Sequence, residues 1–179
     1  MKRMTKKIIR RVLVLLLLCI ATSVQPAVAA QTKLVPLKKL ERYQYFRKYM
    51  SDKELDAAYK KAKKITTPLL VKGKKDQLLG IAVELRKLVD SGKVRYSMKT
   101  KHYNDPYGYL VKGVASCAGC ARTTGFCLNM LGIHYTHVNE GKYSHQWARV
   151  KVGNEYWICD AYGLYCGPEP AVNKHPYLR

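Results

Sequence analysis

The chain has 179 residues, with 33 Lys and Arg against 12 Asp and Glu, and a formal net charge of +21. That length holds one hydrophobic core and little more. No zinc finger, basic zipper or RNA-binding signature accompanies the charge, which argues against a nucleic-acid binder. The charge reads instead as a solvated surface drawn to anionic cell wall, lipid head groups or acidic protein.

Residues 1–30 read as a secretory signal peptide. Lys2, Arg3, Lys6, Lys7, Arg10 and Arg11 form a basic start, Val12 to Ala21 is an unbroken apolar run, and Ala27-Val28-Ala29-Ala30 offers small residues for cleavage. The run is about half the roughly 20 apolar residues of a membrane span. An uncleaved anchor is the alternative reading. Cys19 is no lipoprotein site, because Leu18 stands where a small residue is wanted. The expectation is a secreted or cell-surface protein that meets the membrane only through this segment. Cleavage removes six basic and no acidic residues, leaving +15. Six cysteines become five: Cys117, Cys120, Cys127, Cys159 and Cys166. An odd number cannot all pair within one chain, so at least one thiol is free or pairs elsewhere. In an oxidising compartment a free thiol is buried or used.

Residues 31–179 read as one α+β domain: a helical lead-in over 31–72, a core over 73–170 and a tail over 171–179. The basic stretch from Lys38 to Met50 is predicted helical, though weakly patterned. Ser51-Asp52-Lys53-Glu54 is a capping box, followed by Leu55, Ala58, Tyr59 and Ala62 at helical spacing, until Thr66-Thr67-Pro68 stops the run. A second helix begins near Lys75, buries Leu78, Leu79, Ala82, Val83, Leu85 and Val89, and is closed by Gly92. Asn104-Asp105-Pro106-Tyr107-Gly108 is a turn-rich loop. A helix from Cys117 to Leu131 is closed by Gly132. Strands are predicted over 133–139, 145–152 and 155–161, the last two joined at Gly153-Asn154. The tail from Gly163, with Pro168, Pro170 and Pro176, reads as an irregular wrap.

Three residues in the second half carry nucleophile chemistry. Cys117 opens a helix, where unpaired N–H groups and the helix dipole favour a thiolate and could hold an oxyanion. His145 opens a strand, and Asp160 lies near the end of the next. A hairpin symmetric about Gly153-Asn154 sets Trp147 opposite Asp160 and His145 opposite Tyr162. One sheet face then carries His145 and Asp160 as diagonal neighbours. An Asp so placed orients the imidazole toward the sulfur.

Cys117-Ala118-Gly119-Cys120-Ala121, Leu131-Gly132-Ile133, His145-Gln146-Trp147 and Asp160-Ala161-Tyr162, in that order, resemble the transglutaminase-like superfamily. The resemblance covers roughly residues 77 to 170. The tail, with Tyr162-Gly163-Leu164-Tyr165, Gly167-Pro168-Glu169-Pro170 and His175-Pro176-Tyr177, looks like that of uncharacterised exported bacterial members. Two positions depart from the family pattern: Cys120 stands where an aromatic residue is usual, and Gln146 where Ala is usual. The resemblance implies a papain-like core in which N-terminal helices pack with a small antiparallel sheet. It implies a cysteine-dependent acyltransferase or hydrolase acting on protein or peptide, possessing a Cys117–His145–Asp160 triad and needing no cofactor or metal. A further oxyanion donor is usual in such sites, and Tyr109 is the candidate.

Plainer readings stand beside these. Cys117 is otherwise a structural cysteine, His145 a core histidine and Asp160 a strand-end cap. His102, His134, His137 and His175 read as surface residues, and Trp147 and Trp157 as core and platform aromatics. Cys127 reads as buried. Cys159 with Cys166 reads as a disulfide stapling the tail. Rival functions are a C-x-x-C thiol–disulfide oxidoreductase through Cys117 and Cys120, which lacks the βαβ pattern before the motif, and a non-catalytic wall- or peptide-binding module. A zinc site at Cys117, Cys120, Cys159 and Cys166 fits structural spacing poorly.

Overall fold

The capping box at Ser51 forms as its sequence dictates. The Ser51 backbone N–H donates to Glu54 Oε2 at 2.8 Å, while the Glu54 N–H donates back to Ser51 Oγ. The computed structural model describes residues 32–170. The expected signal segment 1–30 and the tail 171–179, with His175 and Pro176, lie outside the described residues. Among the described residues no helix is long and apolar enough to cross a membrane.

The α-helices are α1 (Tyr43–Phe46), α2 (Asp52–Thr66), α3 (Lys74–Asp90) and α4 (Cys117–Met130), and a π-helical turn occupies Gly108–Lys112. Short 3-10 turns occupy Leu37–Lys39 and Thr67–Leu69. The helix expected over 38–50 shrinks to α1 and one of these turns. Arg42, at the N-cap of α1, gives no side-chain cap, and only Phe46 of the helix's four residues is buried. Leu55, Ala58 and Ala62 bury one stripe of α2. In α3 the buried stripe is Gln77, Leu78, Ile81, Ala82 and Leu85. Leu79 and Val83, expected inside, stay exposed, because they lie on the flank of that stripe.

The strands form two sheets. β1 (Arg95–Tyr96) and β2 (Val114–Ala115) make a short parallel pair. β3 (Thr136–Val138), β4 (Trp147–Val152), β5 (Glu155–Asp160) and β6 (Tyr165–Pro168) form an antiparallel sheet in sequential order. The β4–β5 hairpin has the expected register, Val152 facing Glu155 and Ala148 facing Cys159. Gly153 takes the positive φ of 61° that its tight turn requires. The segment after Gly163 is not wholly irregular, since β6 pairs with β5 and satisfies the β5 edge. The strand expected over 133–139 is only β3.

The fold is thus mixed α+β. α4 is the central element, packed against β4 on one side and against α2 and α3 elsewhere. Twelve of its residues are buried, including Phe126, Leu128 and Met130. Gly125 permits this closeness: a Cβ there would lie 1.9 Å from the Tyr135 ring. Leu55, Leu78, Phe126 and Val150 therefore share one core, and the sulfur at the start of α4 is held by everything packed around the helix.

Candidate active site

Ser116 caps α4, its Oγ accepting from the Gly119 N–H at 3.3 Å. Cys117 is thereby the first helical residue, and the first-turn N–H groups have no helical carbonyl to bond. Gly119 lets the loop approach from above: a Cβ there would meet the Tyr103 carbonyl oxygen at 2.4 Å. The same carbonyl accepts from the Ser116 N–H at 2.7 Å. Loop and helix start are locked together, with the Cys117 thiol half-buried at the join.

Contrary to expectation, His145 does not open the strand; it lies two residues before β4, in the loop after β3. Asn139 Nδ2 donates to its carbonyl at 3.0 Å, and the Trp147 ring stacks against the imidazole, with centroids 6.0 Å apart. Nε2 lies 2.5 Å from Asp160 Oδ2, and the imidazole also hydrogen-bonds the Cys117 sulfur. With Nε2 engaged by Asp160, Nδ1 is left for the sulfur. Asp160 ends β5 and is 2% exposed. Its Oδ1 accepts from the N–H groups of Tyr162 at 3.1 Å and Gly163 at 2.8 Å. Cys117, His145 and Asp160 thus form one continuous chain of contacts.

The electrostatics follow from that chain. Burial alone would depress the His145 pKa, but the hydrogen bonds to Asp160 and Cys117 and their charges raise it to about 9. Burial alone would raise the Cys117 pKa. The His145 hydrogen bond and charge, with the backbone N–H groups of Gln146 and Ala118, bring it below the ordinary thiol value. The two shifts both run toward a thiolate–imidazolium pair. The other thiols behave oppositely: burial pushes Cys120 well up and Cys127 up to about 12.

No protein-family model matches the chain, and no curated protein or solved structure is significantly similar to it.

The thiol faces a cleft of about 550 Å³ whose walls include Tyr96, Met98, Tyr103, Tyr143 and Tyr162. Tyr143 is wholly exposed and Tyr96 and Met98 about half so, which leaves apolar area open to solvent along the cleft. Sequence reasoning missed this wall. The tyrosines are scattered over β1 and three loops, and no local spacing relates them.

Tyr109 does not reach the cleft. It is 1% exposed, and its hydroxyl donates to the Leu85 carbonyl at 2.9 Å inside the core. It is a packing residue, and the oxyanion expectation for it is withdrawn. The helix-start N–H groups and the Gln146 N–H, already aimed at the sulfur, are the donors that the site supplies.

Two histidines expected at the surface are buried. His102 lies between Asp105 Oδ2 at 2.8 Å and Glu54 Oε1 at 3.2 Å, bracing the loop over α4. His137 sits 3.3 Å from Glu140. His134 is exposed, as expected. Glu140 is a hub: Arg42 donates to it at 2.9 Å, the Tyr45 hydroxyl donates to it, and Arg122 lies 3.6 Å away. Arg122 in turn donates to the Asn104 carbonyl at 2.8 Å and lines the cleft. The hub thus ties the loop bearing His145 to α1 and α4. All five cysteines of the described residues are free thiols. Among the described residues no cluster of three or more His, Cys, Asp or Glu could hold a metal ion.

Proposed function

We propose that the chain is an exported, cysteine-dependent acyl-transfer enzyme of the transglutaminase-like kind, acting on protein or peptide. A papain-like reading of the core accompanies this: one helix offers the thiol, the loop leading into β4 offers the base, and β5 of the antiparallel sheet packed on that helix offers the carboxylate. The observation that carries the proposal is the Cys117–His145–Asp160 contact chain, with the sulfur at a helix start and open to a cleft.

The Cys117 thiolate attacks the carbonyl carbon of a glutamine carboxamide or a peptide bond. The oxyanion that forms is met by N–H groups at the start of α4. The His145 imidazolium gives its proton to the leaving ammonia or amine as the C–N bond breaks, and a thioester to Cys117 remains. A primary amine or water, deprotonated by the now neutral imidazole, attacks the thioester and frees the sulfur. Asp160 keeps Nε2 engaged and stabilises the imidazolium throughout. An amine acceptor gives a cross-link and water gives hydrolysis.

The test is incubation with glutamine-containing peptides, with and without a primary amine, read by mass spectrometry. Amine incorporation, deamidation or backbone cleavage that disappears in Cys117→Ala supports the proposal. No product from any peptide, with Cys117 alkylated no faster than an ordinary thiol, favours a binding module. Loss of activity in Cys120→Ala with disulfide reduction as the product would favour the oxidoreductase.

A further inference from the structure

We propose that Cys159 and Cys166 are a disulfide-forming pair that bolts β6 to β5 and leaves Cys117 as the reactive thiol. This inference does not rest on the acyl-transfer reading.

Cys159 and Cys166 face each other directly across the antiparallel β5–β6 ladder. Directly opposed residues in such a ladder have Cα atoms about 4.5–5.5 Å apart and side chains on one face. A disulfide spans Cα separations of about 4.4–6.8 Å, so no backbone movement is needed. The two thiols are close enough for each to perturb the other's titration, Cys159 upward and Cys166 downward. Their exposure differs: Cys159 is wholly buried, its thiol donating to the Leu78 carbonyl at 3.4 Å. Cys166 is partly exposed and lines a groove of about 240 Å³, separate from the Cys117 cleft, beside Leu79, Val83 and Leu164.

That asymmetry sets the order of events. The oxidant is a low-molecular-weight disulfide such as glutathione disulfide. The Cys166 thiolate attacks one of its sulfurs, breaking the S–S bond and releasing one thiolate. The Cys159 sulfur then attacks Cys166, releasing the second thiolate, and its proton passes to solvent. The two cysteines lose two electrons, and the oxidant is reduced to two thiols. Cys120 and Cys127 are sealed within α4, so Cys166 is the exposed competitor for Cys117. Bridging removes that competitor.

The experiment uses the whole protein, equilibrated with glutathione disulfide, blocked with iodoacetamide under denaturing conditions and digested with trypsin. Both cysteines fall in the segment 152–174, which no Lys or Arg interrupts. The expected segment is lighter by two hydrogens than its reduced form and takes up iodoacetamide only after reduction. It should form equally in Cys117→Ala and vanish in Cys166→Ser. Alkylation of both cysteines after oxidation, persistent glutathione on Cys166, or a bridge from Cys117 to Cys120 or Cys166 overturns the inference. Each outcome leaves the peptide assay of Cys117 to be judged separately.

Discussion

Asp160 divides its two carboxylate oxygens between chemistry and architecture: Oδ2 meets His145 Nε2 at 2.5 Å, and Oδ1 accepts the Gly163 N–H at 2.8 Å. The carboxylate is therefore not free to rotate away from the imidazole, because turning it would strand two backbone donors in a buried site. Such a group orients its partner without being consumed.

Asp160→Asn separates the two duties. The amide oxygen can still accept from Gly163, but an amide nitrogen facing Nε2 donates to it and forces the imidazole proton onto Nδ1, the side that must accept. Turnover should fall by about 10²- to 10⁴-fold with little change in the unfolding midpoint. A loss of stability matching the loss of activity would count against the positioning role.

The pH profile follows from the opposed shifts of the pair. Iodoacetamide labelling of Cys117 should persist at pH values where ordinary thiols are protonated, and His145→Ala should slow it at pH 6 by about tenfold or more. Turnover should decline as the pH rises through about 9, where the imidazolium loses its proton. Stability carries the same sign. The His145 pKa is raised above its unfolded value near 6.5, so its contribution is full below that value and is lost as the pH rises through about 9. A flat labelling profile in both proteins would remove the ion pair from the argument.

Gly119→Ala should damage the site without touching a reacting atom. The new methyl group would press on the Tyr103 carbonyl oxygen, which is backbone and cannot swing aside. We expect a stability loss of about 1–3 kcal/mol and a larger fall in Cys117 labelling than in unfolding midpoint. Denaturant titration beside alkylation kinetics measures both.

Glu140→Gln should loosen the loop that bears His145. Burial raises the Glu140 pKa, but hydrogen bonds from Tyr45 and Arg42 outweigh it and hold the carboxylate below its usual range. Its contribution is therefore present above that range and lost as the pH falls. The substitution leaves Arg42 and Arg122 without their shared anion, and about 1–3 kcal/mol should be lost. Hydrogen exchange of residues 139–146 should rise while that of α3 stays unchanged.

Oxidation of the Cys159–Cys166 pair closes only a short loop, so it should raise stability by about 2 kcal/mol. Urea titration of oxidised and reduced protein compares the two, and Cys166→Ser should show no difference between them.

Much of this was readable locally. The Ser51–Glu54 capping box and the Gly153-Asn154 turn each depend on a few adjacent residues, and the turn fixed the register that brings β5 beside β4. Cys117 at a helix start was legible for the same reason. What escaped was non-local. His145 lies in a loop whose Asn139 holds its carbonyl and whose Glu140 is held by Arg42, 98 residues away in sequence. Tyr109 is the oxyanion candidate only through the family resemblance, and its hydroxyl donates instead to the Leu85 carbonyl in the core. The β1–β2 pair is two residues long, too short for any alternating pattern.

The sulfur and the imidazole come from different parts of the chain, one on α4 and the other on a loop beyond β3, and they meet through packing alone. A partly made or partly unfolded polypeptide consequently carries an ordinary, sluggish thiol. The shift in the thiol depends on the imidazole being docked beside it, so the fold itself acts as the safety catch on its own nucleophile.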